Sequence, residues 1–512
     1  MIDKNKIILD LFEKEYQLSK KDIELKTNIK GSTLNNILKK LVESNKLSRF
    51  GKGRATYYQR IYNQDFSYEN ITVLKDGIIV GELSFGDGKH YFKYDSSYKG
   101  KELIGLKNDG NIHSSIKLFN VFENLIPESH RREKHINIDK YEQLANSLVN
   151  LLNTHGSYDF VYTYKLFKYK KSYDKRPNWL NVKNKILEEN SYPNILSYTL
   201  DIDQDILEDK VSVDYSSLSG YQNKIDININ KENNKIYIDT VNSSYLLKPF
   251  NKNIGIYFGD KKSYYPHILI IEHLFMSFAK NELKLDVPYS GLVFKDGVFH
   301  YVVKRFDRYE EFKYEQYDFG QFLNISSEQK YDTSSDAIFK KANEILKDKK
   351  SKQDLLRFYF YSYIIQHSDL HAKNVAALNI GRGNYILAPL YDVISLGVIK
   401  DKEIDDLALP IQRVHKNQKS KFTVNDFLYL AQILELNLTD AKKGLRKVMI
   451  LFIKQFPLYI EKTKELLKYD NLTIKKSRIK TTTLINKLQN FYDERLIAFR
   501  KSNIFQDLKI NL

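Results

Sequence analysis

QHSDLHAKNVAALNIGRGNYILAPLYDVIS, residues 366–395, is the stretch whose reading decides the fold. Asp369 and Asn374 stand five positions apart in a polar loop, and Asp392 follows further on. Between them, residues 375–380 (VAALNI) and 385–390 (YILAPL) read as two short apolar strands joined by the turn GRGN. Six residues out and six back bring the chain home, so Asp392 is predicted to arrive beside Asn374. One carboxylate is then free to orient a hydroxyl, while an amide and a second carboxylate can hold Mg²⁺. Taken alone, an Asp followed five residues later by an Asn is ordinary turn chemistry in a chain rich in both. The hairpin is what gives the spacing a meaning.

Working upstream, residues 354–366 (DLLRFYFYSYIIQ) are apolar almost all round and predict a buried helix, a rigid base for the polar loop. The apolar run HILIIEHLFMSFAKNEL contains Glu272. Buried, that carboxylate needs a partner, and Lys248 of SSYLLKPF is one; alternatively it faces solvent with Lys280 or Lys284. SSLSGYQNK (216–224) precedes two strands, IDININ and KIYID, around the turn KENN. A Ser/Gly loop ahead of strands can offer backbone N–H groups to phosphates, and a Lys on a later strand can reach them. One glycine makes a poor Gly-rich loop, and no Walker pattern is present. A hairpin, GLVFKDGVFHYVVKRFDR, ends in Arg305, Phe306, Asp307 and Arg308. Residues 158–214 are rich in Lys and Tyr and poor in pattern.

At 512 residues the chain has room for two or more domains. It has no Cys, which excludes disulfides, thiolate metal sites and Cys nucleophiles. The formal net charge of +17 points to an anionic partner, nucleic acid or ATP, although solvated Lys on helix faces accounts for part of it. The most apolar window is too short and too polar to span a bilayer, and the first residues show no signal-peptide pattern. A soluble cytoplasmic protein without a membrane partner is expected.

The first sixty residues read as three helices followed by a basic hairpin, the order of a winged helix-turn-helix. Residues 1–29 carry six Lys and six acids, whereas residues 30–60 carry eight Lys or Arg and one acid. The excess falls on the recognition helix and wing, where phosphates are met. Groove candidates are Ser32, Thr33, Asn35, Asn36 and Lys39, with Arg49, Lys52 and Arg54 on the wing. The plainer reading is a small helical module with a solvated basic face. Residues 61–68 read as a linker, and residues 71–94 as strands around Asp76-Gly77. KKSRIK (475–480) is a further basic run, equally readable as a solvated loop.

From about residue 71 onward the chain resembles the HipA-type serine/threonine kinases, toxins of bacterial toxin–antitoxin systems. VLKDGIIVGELSF, FKYD, ENLIPE, SLSGYQNK, YLLKPF, VVKRFDR, QKYDTSS, DLHAKN and LAPLYDVIS carry the resemblance, in family order. It implies an α+β, protein-kinase-like two-lobed fold preceded by a small winged helix. The expected divisions are residues 1–62, 69–265 (N-terminal subdomain and nucleotide lobe) and 266–512 (helical catalytic lobe). It also implies ATP and Mg²⁺ as cofactors, with Asp369 the catalytic Asp and Asn374 and Asp392 the metal ligands. His371 and Lys373 correspond to loop residues near the phosphates. Lys248 corresponds to the phosphate-binding Lys, Glu272 to its helix partner, and Lys304 and Phe306 to the hinge that meets adenine. Ser217, Ser219, Gly220, Gln222 and Lys224 belong to the nucleotide loop. Ser217 and Ser219 are its autophosphorylation candidates, an off-switch through charge.

Tyr221 and His367 depart from the family pattern, each standing where smaller residues are usual. Implied partners are a protein substrate such as an aminoacyl-tRNA synthetase, operator DNA through the winged helix, and an antitoxin. The rival reading is a transcriptional regulator with a nucleotide-sensing pseudokinase body. A DNA-processing enzyme finds no second carboxylate cluster to support it.

Overall fold

In the computed structural model, residues 4–12, 18–44, 46–50, 56–60, 70–86, 88–126, 141–150, 154–168, 175–208, 223–251, 265–400, 404–412, 419–470 and 480–511 are described. The chain forms two compact units, residues 1–154 with 158–174, and residues 155–157 with 175–512.

In the first unit, helices Lys4–Leu11, Lys20–Thr27 and Gly31–Glu43 accompany a small sheet. Its strands are Leu18–Ser19, Tyr57–Arg60 and Leu47–Phe50, in that spatial order. Ser19 Oγ accepts the Asp22 N–H at 3.2 Å and the Asp22 carboxylate accepts the Ser19 N–H at 2.9 Å, a reciprocal cap. Leu34, Leu38 and Leu41 recur at helical spacing and bury against Ile8, Ile23 and Leu47. That leaves Ser32, Thr33, Asn35, Asn36 and Lys39 exposed on the opposite face, with Arg49 exposed on the following strand. Lys52 and Arg54 lie outside the described residues.

The same unit holds a five-stranded antiparallel sheet in the order His113–Ser115, Lys89–Tyr94, Ile78–Gly86, Ile71–Lys75, Tyr158–Tyr162. The Asp76-Gly77 turn has both residues at positive φ, 53° and 75°, as a two-residue hairpin requires. The edge strand Tyr158–Tyr162 arises within the region that showed little sequence pattern.

In the second unit a six-stranded sheet runs Ser290–Lys295, Val298–Lys304, Tyr245–Lys248, Ile225–Asn230, Lys235–Ile238, Thr199–Leu200. It takes strands from both sides of residue 265, the expected division between lobes. The reason is register: Lys248 pairs with Tyr301 and Leu247 with Val302, so the later hairpin extends the earlier sheet. Helix Ile268–Asn281 is buried almost all round, and Phe278 stacks on Tyr361 with ring centroids 5.8 Å apart. Helix Lys349–Ile364 is likewise buried, as its apolar composition predicts. Among the described residues no helix is long and apolar enough to cross a membrane.

Candidate active site

The hairpin of the opening motif forms as read. Ala376–Asn379 pairs with Tyr385–Leu387, and the Ala388 N–H returns to the Ala376 carbonyl at 2.9 Å. Its two ends then meet through the neighbours of the expected ligands, because Tyr391 Oη donates to the Lys373 carbonyl at 2.6 Å. Asp392 follows with φ at 52°, a left-handed conformation uncommon for a residue with a Cβ.

Asp392 closes a buried charge cluster. Lys248 Nζ donates to Glu272 Oε1 at 2.6 Å and to Asp392 Oδ1, while Lys224 Nζ donates to Asp392 Oδ2 at 2.9 Å. The Lys248 and Glu272 side chains are only 4% and 3% exposed, so the solvent-facing alternative for Glu272 is excluded. Burial works against the Lys248 ammonium, but the Asp392 and Glu272 carboxylates hold its pKa above the ordinary value. Burial also works against the Asp392 carboxylate. Lys224 and then Lys248 overcome it and hold the group well below the usual carboxylate range. Burial raises the Glu272 pKa despite Lys248.

These groups line a cleft that opens to solvent. Seven of the expected site residues line it: Lys224, Lys248, Glu272, Lys304, Phe306, Lys373 and Asp392. Leu246, Met276 and Val303 add apolar wall. The Phe306 ring lies 5.8 Å from that of Tyr391, and its carbonyl accepts the Trp179 indole N–H at 2.9 Å. Lys304 spends its ammonium on Glu188 and on the Lys185 carbonyl at 2.8 Å.

Asp369, His371 and Asn374 are not among the lining residues; they form the adjoining loop. Asn374 Nδ2 donates to the Asp369 carbonyl at 2.9 Å, and His371 Nδ1 accepts the Lys373 N–H at 3.3 Å. Burial, with Lys330 and Lys373 nearby, pushes the His371 pKa well down, so the ring stays neutral and braces the turn. Lys373 Nζ donates to Ser327 Oγ at 2.8 Å. Ser217, Ser219, Gly220, Gln222 and the Tyr221 departure lie outside the described residues.

Three groups were given no role in the sequence. Arg305 is buried against Asp226 and Asp307, each at 3.1 Å, and Asp307 also accepts from Arg308 at 2.7 Å and from the Gly156 N–H at 3.1 Å. Arg305, Asp307 and His155 all line the cleft. The signal for the first two was the dense RFDR ending of a strand; nothing in the sequence marked His155.

Oxygen donors are the kind Mg²⁺ takes: Asp392 would offer an ionised carboxylate, whose oxygens accept from Lys224 and Lys248, and Asn374 would offer an amide oxygen. Mg²⁺ typically takes one or two protein oxygens and completes its shell with water and phosphate.

Residues 216–455 match the family described as the HipA-like C-terminal domain. This part of the chain is similar to that domain. A Haemophilus influenzae protein named "Putative kinase" is 29% identical over 196 residues, covering 35% of this chain and 52% of that protein. The chain thus spans about half the length of that curated relative. Among solved structures, the HipA of Shewanella oneidensis MR-1, in complex with HipB and its operator DNA, superposes with TM-score 0.56 at 15% identity. That match covers 86% of this chain and 100% of the other and shows a shared HipA-like α+β fold. The Helicobacter pylori proinflammatory kinase CtkA is a looser likeness, TM-score 0.36 at 16% identity, over 56% of this chain and 98% of that one.

His367 sits behind the site, wholly buried, with neither ring nitrogen hydrogen-bonded among the described residues. Burial lowers its pKa to about 3, against a small opposing pull from Asp392. The unfolded chain takes up that proton below about pH 6.5 and the folded protein does not, so stability falls as pH drops through the interval. His367→Leu removes one such proton. Between pH 7 and pH 5 its loss of stability in urea unfolding is expected to be smaller than the parent's by about 2 kcal/mol. Equal losses would contradict an unprotonated, buried His367.

Proposed function

We propose that the chain is an ATP- and Mg²⁺-dependent protein serine/threonine kinase of the HipA toxin type. The observation that carries this reading is Lys248, bonded at once to a helix carboxylate, Glu272, and to the turn carboxylate Asp392 beside the 369–374 loop. Bound Mg-ATP would supply the transferable phosphoryl group and the charge neutralisation that such transfer needs. Lys224 and Lys248 present ammoniums to phosphates, and Glu272 keeps Lys248 in place. Asn374 and Asp392 offer oxygens to the metal. Phe306 and Lys304, with Leu246 and Val303, make the adenine end. Asp369 accepts the proton of the acceptor hydroxyl, held by the Asn374 bond to its own carbonyl. Positioning and electrostatics do most of such work.

A translation component such as an aminoacyl-tRNA synthetase is the proposed protein substrate, and Ser217 and Ser219 are the proposed self-modification sites. An antitoxin and operator DNA, which accompany the Shewanella HipA, are proposed partners here too. For DNA the supporting feature is the exposed polar face of helix Gly31–Glu43.

Two measurements test this. With radiolabelled ATP and Mg²⁺, the parent should label itself and a substrate protein, and Asp369→Ala should lower labelling by about two orders of magnitude or more. Equal labelling would refute the assignment. For DNA, Lys39→Ala should weaken binding evenly across sequences and reduce the slope of log affinity against log salt by about 1. An unchanged slope would remove Lys39 from the interface.

A further inference from the structure

Segment 326–334 lies across the loop that carries Asp369 and is tied to it at several points. Ser327 Oγ accepts from Lys373 Nζ at 2.8 Å, and the Lys330 carbonyl accepts the Ala372 N–H at 3.3 Å. Ser334 caps the following helix by accepting the Ala337 N–H at 3.2 Å. Between these anchors stands Tyr331, 38% exposed. Its ring meets the His371 ring edge-on with centroids 5.0 Å apart, and the Lys330 ammonium lies 5.3 Å from its centroid. Its hydroxyl donates to Asp369 Oδ1.

That last bond has chemical content. Asp369 is the carboxylate read above as the acceptor of a substrate hydroxyl's proton, and it already receives a hydroxyl, from Tyr331. The contact lies in solvent-exposed ground, unlike the buried Lys248 cluster, so an incoming acceptor can reach the same oxygen. A hydroxyl-to-carboxylate bond is charge-assisted, and a substrate must replace it before its own hydroxyl is oriented. The segment's ties to residues 372 and 373 keep the phenol in place without a substrate.

We infer that Tyr331 is a built-in mimic of the acceptor hydroxyl, competing with water and with a substrate side chain for Asp369. This rests on Asp369 being the base, and goes beyond it by assigning a gate to the acceptor side. Nucleotide binding, which depends on Lys248 and Asp392, is independent of the gate.

The test compares the full chain with Tyr331→Phe, which keeps the ring packing and loses only the hydroxyl. The acceptors are water, read as Mg-ATP hydrolysis, and dephosphorylated casein as a protein probe. Hydrolysis should rise about tenfold, the scale of losing a hydrogen bond to a charged group, with a lower KM for casein and an unchanged KM for ATP. Rates that stay the same or fall would overturn the gate and leave Tyr331 a positioning residue. A variant as silent as an inactive parent would overturn it as well. Asp369→Asn separates the two levels: turnover that persists in it overturns the reading of Asp369 itself. Turnover lost in Asp369→Asn but unmoved in Tyr331→Phe overturns the gate alone.

Discussion

One ammonium between two carboxylates sets the conditions for the rest of the second unit. Lys248, Glu272 and Asp392 come from a strand, a helix and a turn that are far apart in sequence, and all three lose water when they meet. A lone buried charge is costly, and removing one member of such a group leaves the others uncompensated. Lys224 makes the balance two cations to two anions. The cluster is therefore a poor way to gain stability and a good way to hold charges where an anionic ligand can use them. The sheet register that pairs Lys248 with Tyr301 and the apolar helix around Glu272 bring the partners to one point.

A second charged network braces the same cleft. Arg305 links Asp226 on one strand to Asp307 beyond another, and Arg308 and the Gly156 N–H complete the shell of Asp307. Burial opposes the Asp307 carboxylate, but Arg305 and Arg308 hold its pKa well below the usual range, whereas burial raises the Asp226 pKa despite Arg305. Such planar, multiply bonded pairs fix geometry in a way that surface pairs do not. Trp179, bonded to the Phe306 carbonyl, adds a rigid apolar wall beside it.

Much of this was legible from residue order alone. The Asp76-Gly77 turn follows local rules, and local rules survive folding. The hairpin after Asn374 was legible for the same reason, and so was the need of Glu272 for a partner. Tyr158–Tyr162 and helix Trp179–Leu187 were not, because their signals are long-range. The first is an edge strand that makes sense only beside Ile71–Lys75. The second is a short helix whose apolar face is completed by Phe306 and Tyr314. Pairing across the chain also hid the role of Asp307, whose partners include residue 156. Tyr331 was quoted within a motif, yet nothing short of its contact with Asp369 distinguishes it from other tyrosines. The reach of Asp392 was only partly legible: its side chain meets Lys224 and Lys248, while the meeting with the 369–374 loop runs through Tyr391 and Lys373.

If the Lys248 cluster exists to receive phosphates, its ammonium must be the group on which nucleotide binding depends. Calorimetric titration of ATP into the full chain, with and without Mg²⁺, measures that directly. The account predicts one site per chain, tighter with Mg²⁺, and lost in a folded Lys248→Met variant. Binding of the same strength and stoichiometry in the parent and in Lys248→Met would contradict it.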